Sequence, residues 1–251
     1  MAGIPKRDRA MIIGLDPEMA VHDPRDLMAS LTPVVLLHGL GRTPRSMALL
    51  ARRLAAHGHP TLVLGYPSRR CGVRDCAIAL RPEIEAFRLR MGRKIGFVTH
   101  SMGGLVARCL AEERGAVTAI VMLAPPNGGS EMADHVVRFW LGRAILGPAL
   151  IDLQSGAPEG LPVPTCPIGI IAGTRAWLPL TGRVIAGRHD GLVSLARTRI
   201  SGPHDWIAID AGHTLLMNHL VATEAVLGFL RDGRFPDRLR DVPGGAVRPA
   251  G

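Results

Sequence analysis

Between Ile95 and Arg108 the chain passes from an apolar run into an apolar helix, with Ser101 at the point of turning. The segment reads Ile95-Gly96-Phe97-Val98-Thr99-His100-Ser101-Met102-Gly103-Gly104-Leu105-Val106-Ala107-Arg108. Ile95, Phe97 and Val98 suit a strand covered on both faces, the usual state of a strand in a parallel sheet. Gly103 and Gly104 remove side chains where the new helix must pack against the strand it has just left. A serine on so tight a turn projects its hydroxyl above the sheet edge. Neighbouring backbone N–H groups and the positive end of the helix favour negative charge developing on whatever the hydroxyl attacks. The arrangement suits nucleophilic attack on an acyl group.

The rest of the chain fits a sheet around this turn. Strands are predicted at Pro33–Leu37, Thr61–Leu64, Ile95–Val98, Val117–Leu123, Ile168–Ala172 and Trp206–Ile209. Helices are predicted at about 43–57, 74–91, 102–114 and 131–145, with a short one after Val193 and a long one over 214–231. Strands alternating with helices predict one α/β domain over 31–235, with a mostly parallel, doubly wound sheet of about six strands flanked by helices. Residues 1–30 read as a flexible entry with a short strand near Met11–Leu15. The proline-, glycine- and arginine-rich stretch 236–251 is expected to be disordered. Residues 130–166 are less regular and form a candidate cap or lid, with Phe139 and Trp140 available to lipid.

Composition narrows the partners. Aromatic residues make up 4% of the 251 residues, so platforms for stacking nucleic-acid bases are scarce, and no groove-reading motif accompanies them. Nucleic acid is therefore not expected as a partner. The formal charge of +9 comes almost entirely from arginine, since Lys6 and Lys94 are the only lysines. Scattered arginines describe a solvated surface, with an anionic membrane surface as the sharper alternative. The four cysteines, Cys71, Cys76, Cys109 and Cys166, have neither C-x-x-C nor zinc-ligand spacing. No metal or cofactor is expected. Free thiols, a short apolar run after Arg9 and the absence of an 18-residue apolar stretch lead to an expected cytoplasmic location.

Thr99-His100-Ser101-Met102-Gly103 resembles the nucleophile elbow of the α/β-hydrolases, most of all that of small lipases and esterases. The family pattern carries glycine where Thr99 stands, a departure because that position faces the helix closely. The resemblance implies the α/β-hydrolase fold and a triad in the order serine, acid, histidine. Downstream of Ser101 the chain offers Asp190, in Asp190-Gly191-Leu192-Val193, and then His213, four residues past Ile209. Each lies just beyond a predicted strand, at the edge where open α/β sheets build their sites. His219 is the rival base, and Asp205 and Asp210 are rival acids. His38-Gly39-Leu40-Gly41 resembles the His-Gly loop of lipases, which implies an oxyanion hole from the N–H groups of Leu40 and Met102.

These residues together predict a serine hydrolase acting on a small-molecule or lipid acyl ester. An acyltransferase or thioesterase with the same triad is an alternative, as is a binding protein without turnover. Leu105, Pro125, Asn127, Trp140 and Leu192 are candidate pocket residues. Tyr66-Pro67-Ser68 and Pro125–Ser130 also resemble lipase stretches, without an assigned catalytic role. The oligomeric state, the acyl length and the alcohol are left open.

Overall fold

The computed structural model describes residues 11–13, 31–111, 115–176 and 179–240. Most of the expected flexible entry, and positions 241–251 of the expected tail, lie outside these residues. The strands are β1 (Met11–Ile13), β2 (Val34–Leu37), β3 (Thr61–Leu64), β4 (Ile95–His100), β5 (Val117–Leu123), β6 (Ile168–Gly173) and β7 (Asp205–Ile209). The helices are α1 (Ala48–Ala56), α2 (Val73–Met91), α3 (Met102–Leu110), α4 (Glu131–Val136), α5 (Trp140–Leu146), α6 (Ala149–Asp152), α7 (Leu195–Thr198) and α8 (Leu220–Asp232).

The strands form one sheet in the order β1-β3-β2-β4-β5-β6-β7. Six of them, β2 to β7, run parallel, and β1 closes one edge antiparallel to β3. The chain builds outward from β2 to β3, then returns to the other side of β2 as β4. Loops leaving the carboxyl ends of β2 and β4 therefore diverge, opening a crevice between them.

Side chains on successive residues of these strands serve opposite cores. Val35, Leu37, Ile95 and Phe97 pack with α2 and α3 on one face. Val34, Leu36 and Val98 pack with α1 and α8 on the other. Each large apolar side chain buried this way contributes about 1.5–3 kcal/mol. Gly96 faces the second core, where an added Cβ would lie 3.2 Å from both Leu230 Cδ2 and Thr32 Cγ2.

Three predicted elements come out differently. The helix expected over 214–231 breaks at His219, whose backbone is extended (φ −70°, ψ 136°), leaving a 3-10 turn at His213–Asn218 before α8. Arg53 holds the break by donating to Asn218 O and Thr223 Oγ1 at 2.8 and 3.1 Å. The helix expected at 131–145 is two helices parted at extended Phe139. The helix α2 keeps its predicted span and runs through Pro82, which lies on the solvent face. Positions 236–240 of the stretch expected to be disordered are held in place, with Leu239 buried and Arg240 paired with Asp205 at 2.6 Å. Among the described residues no helix is long and apolar enough to cross a membrane.

Candidate active site

Ser101 joins β4 to α3 with φ 54° and ψ −126°. A non-glycine residue there carries strain of order 1–3 kcal/mol, which the surrounding structure must hold in place. Its N–H donates to Leu123 O of β5 at 2.8 Å, and its carbonyl accepts from Gly104 N at 2.9 Å. Behind it, a Cβ on Gly103 would sit 2.7 Å from Leu37 O and 2.8 Å from His38 O. No side chain fits, so α3 lies directly on the end of β2. Thr99 is accommodated where the family has glycine: it is fully buried, and its hydroxyl reaches toward Val121 O at 3.5 Å.

Asp190 and His213 meet across two loops. His213 Nδ1–H donates to Asp190 Oδ2 at 2.7 Å, and His213 N donates to Asp190 O at 3.0 Å. The other carboxylate oxygen, Oδ1, accepts from Leu192 N at 3.0 Å and Val193 N at 2.8 Å. Asp190 is 2% exposed. Burial alone would raise its pKa, but the adjacent imidazole, its hydrogen bond and the two N–H donors outweigh burial and hold the carboxyl below its ordinary value. The loops can come this close because β6 ends in Gly173, where a Cβ would lie 2.5 Å from Ala211 O and 2.9 Å from Asp190 Cβ. The rival acids are engaged elsewhere. Asp210 pairs with Arg175, and Asp205 anchors Phe235 N and Arg240.

His100, to which the sequence assigns no role, braces the loop that carries His213. Its Nε2 donates to the backbone oxygen of His213 at 2.9 Å, and the two rings stand 4.9 Å apart. Burial first, then the nearby His213, pushes its pKa down to about 3. The ring is therefore neutral, and donation from Nε2 leaves Nδ1 as a lone pair. That Nδ1 is buried without a partner. Gly39 makes room for it: a Cβ there would be 3.1 Å from His100 Nδ1 and from Ser101 Cβ.

The loop after β2 is braced by a stretch with no role assigned from sequence. Tyr66 OH donates to His38 O, and the His38 and Tyr66 rings stack at 4.3 Å with 7° between planes. Gly41 N donates to Ser68 Oγ at 3.0 Å. Arg42 Nη2 reaches Thr214 Oγ1 at 3.1 Å, tying this loop to the one that carries His213. Among the described residues, the N–H groups of Leu40 and Met102 have no hydrogen-bond partner.

Gly39, Leu40, His100, Ser101 and His213 line one cleft. Ser101 Oγ makes no hydrogen bond to a described residue, His213 included. Of the predicted pocket residues, Leu192 lines the cleft and four do not. Leu105 is fully buried in the core, Pro125 packs against Gly104, and Trp140 is 79% exposed on the outer surface. Asn127 is buried, accepting from Arg108 Nη1 at 3.2 Å and donating to Thr198 O at 2.9 Å. The apolar wall comes instead from Pro126 and, in the irregular 130–166 region, from Met132, Val136, Leu146, Leu150 and Leu153. Among the described residues no group of three or more His, Cys, Asp or Glu side chains is arranged to hold a metal ion.

No family model and no curated protein matches the chain. Solved structures do. The mature form of Bacillus licheniformis lipase BlEst2 aligns with a TM-score of 0.68 at 19% identity, over 88% of this chain and 98% of that one. The phospholipase PlaB from Legionella pneumophila aligns with a TM-score of 0.65 at 17% identity, over 81% of this chain and 59% of that one. A structure described with LipS and LipT, two metagenome-derived lipolytic enzymes, aligns with a TM-score of 0.57 at 16% identity, over 89% of this chain and 97% of that one. The chain spans 56% of the propeptide form of BlEst2.

Proposed function

With the α/β-hydrolase fold as its frame, we propose that the protein is a serine hydrolase that cleaves carboxylic esters through an acyl-enzyme. The observation that carries this reading is the 2.7 Å bond from His213 Nδ1 to Asp190 Oδ2, in a cleft that Ser101 also lines. A serine hydroxyl is a poor nucleophile without a base, and an imidazole is a well-directed base only when its far nitrogen is held. In this reading an ionised Asp190 fixes the His213 tautomer with Nδ1 protonated, so Nε2 is free to take a proton. No hydrogen bond joins Ser101 Oγ to His213, and catalytic bonds of this kind tighten as the reacting complex forms.

Ser101 Oγ attacks the ester carbonyl carbon as His213 Nε2 takes its proton. The Leu40 and Met102 N–H groups receive the oxyanion, each worth roughly 10²–10³ in turnover. The tetrahedral intermediate collapses, His213 protonates the departing alcohol, and an acyl-Ser101 remains. Water, deprotonated by His213, attacks that acyl group and releases the acid. The mostly apolar wall of Met132, Val136, Leu146 and Leu150 favours a hydrocarbon acyl chain. No cofactor enters any step.

Two measurements test this. A fluorophosphonate probe is expected to form one adduct per chain, at Ser101, and Ser101→Ala is expected to abolish it. A series of p-nitrophenyl esters is expected to be hydrolysed by the wild type and not by folded Ser101→Ala or His213→Ala. A chain that takes no label and turns over no ester is a binding protein on this fold. Acyl transfer to an added alcohol outrunning hydrolysis reassigns it as an acyltransferase.

A further inference from the structure

Helix α5 has no buried residue among its seven. It nevertheless carries Trp140, Leu141 and Ile145 at 79, 53 and 52% exposure, and Phe139 before it is 57% exposed. From His135 to Ile151 the sequence contains no Asp or Glu and two arginines, Arg138 and Arg143. The flanking acids are turned to other partners: Glu131 to Ser194 and Arg197, Asp134 to Ser155, and Asp152 to the Val73 N–H. Exposed Arg69 lies beside this face, since a Cβ on Gly147 would collide with Arg69 O. None of Arg69, Arg138 or Arg143 pairs with a carboxylate among the described residues.

We infer that this face docks the protein on an anionic phospholipid surface. An apolar, aromatic-bearing helix with basic residues and no acid suits the interface of a negatively charged bilayer. A soluble acidic partner protein would satisfy the arginines, but it gives no reason for four large apolar residues to stand together in water. The inner side of the same segment lines the cleft through Val136 and Leu146. A chain drawn from the bilayer therefore has a short path to Ser101. The helix packs closely against its neighbours near both ends. Its start rests on Val136, where a Cβ on Gly142 would meet Val136 O at 2.6 Å, and its end rests on Arg69.

The inference rests on the proposed hydrolase reading for its acyl substrate, and binding is measured apart from catalysis. Ser101→Ala protein is sedimented with sucrose-loaded vesicles of phosphatidylcholine alone or with about a third phosphatidylglycerol. Three arginines near such a surface are expected to tighten partitioning on the order of 100-fold over the neutral vesicles. Arg138→Glu/Arg143→Glu is expected to remove most of that preference. Trp140→Ser/Leu141→Ser is expected to weaken binding to both vesicle types. Thermal melting of both variants at the parental temperature guards against misfolding. Equal binding to the two vesicle types, or binding untouched by either double variant, overturns the docking surface. So does self-association that Trp140→Ser/Leu141→Ser abolishes while vesicles bind nothing. Vesicle binding with no ester turnover in the wild type sinks the hydrolase reading and leaves the docking surface standing.

Discussion

Arg108 offers the sharpest test of how the cleft wall is held. It sits on α3, two turns beyond Ser101, and is 1% exposed. Its guanidinium reaches no carboxylate. It donates to Pro162 O at 2.9 Å, Pro158 O at 3.0 Å, Leu161 O at 2.9 Å and Asn127 Oδ1 at 3.2 Å. A buried cation is thus solvated by four neutral oxygens, three of them from one short loop. That loop closes the 130–166 region, whose Leu150 and Leu153 line the same cleft as Ser101. Replacing Arg108 by Met keeps much of the volume and removes every donor. Four hydrogen bonds to a charged group are worth about 1.5–3 kcal/mol each, so their loss alone is about 6–12 kcal/mol. The four bonds share one guanidinium and are not additive, so a net loss of about 3–5 kcal/mol is expected. At this chain length that is a fall in melting temperature of roughly 10 °C. Arg108→Lys, with one compact ammonium in place of a fork, is expected to recover less than half of it. Thermal and urea denaturation measure both variants, and limited proteolysis within 153–167 reports whether the loop has come loose. An Arg108→Met protein that melts within about 2 °C of the parent, with that loop still protected, refutes the reasoning.

Three further outcomes follow from the geometry. Asp190→Asn is expected to lower kcat by about 10⁴, measured with a soluble ester, because an amide cannot hold His213 Nδ1 protonated and facing it. The folded pKa of Asp190 is depressed, so its ionisation stabilises the protein above the ordinary carboxylate range and that contribution fades as pH falls through the folded value; Asp190→Asn should lack this acid limb in urea titrations. His100 stays neutral when folded down to about pH 3, whereas its unfolded value is the ordinary 6.5, so the unfolded chain binds more protons in between and stability drops as pH falls across that window. In His100→Gln, which keeps an N–H for the His213 carbonyl, the urea midpoint should fall less from pH 7 to 4.5 than in the parent, and an equal fall contradicts the assignment. Ser68→Ala, outside the cleft, leaves Gly41 N–H unpaired and is expected to lower kcat about tenfold with KM unchanged; restoration by Ser68→Thr separates positioning from general damage.

The parts of the site that could be read from the sequence are those set by local rules. Gly103 and Gly104 announce a helix pressed on a strand, and Asp190 and His213 each stand just beyond a predicted strand, at the edge where open α/β sheets build their sites. Strand positions were legible for the same reason, since residues buried on both faces leave apolar runs between glycine and proline breaks. Long-range pairings were not legible. Asn127 sits beside the site in sequence but meets Arg108 and Thr198 in the core. Trp140 has the character of a pocket residue, yet extended Phe139 splits the expected helix and turns α5 outward. The long terminal helix was misread because its periodicity continues through His219, whereas Arg53, distant in sequence, captures Asn218 O and interrupts it.

The supports of the proposed catalytic groups have a common feature that left little trace in the sequence. Each group is fixed through backbone atoms more than through side chains with a recognisable chemistry. His100 holds His213 by its carbonyl, Tyr66 holds His38 by its carbonyl, and Ser68 holds Gly41 by its N–H. A backbone atom accepts a partner whatever its side chain is, so the partner's position leaves no matching pattern in the sequence. The glycines are the exception. Gly39, Gly103 and Gly173 mark places where an added Cβ would press on His100, Leu37 O and Ala211 O. Three loops converge above one sheet edge because three positions carry no side chain, and the steric argument that identifies Gly103 from sequence applies equally to the other two once their strands are known.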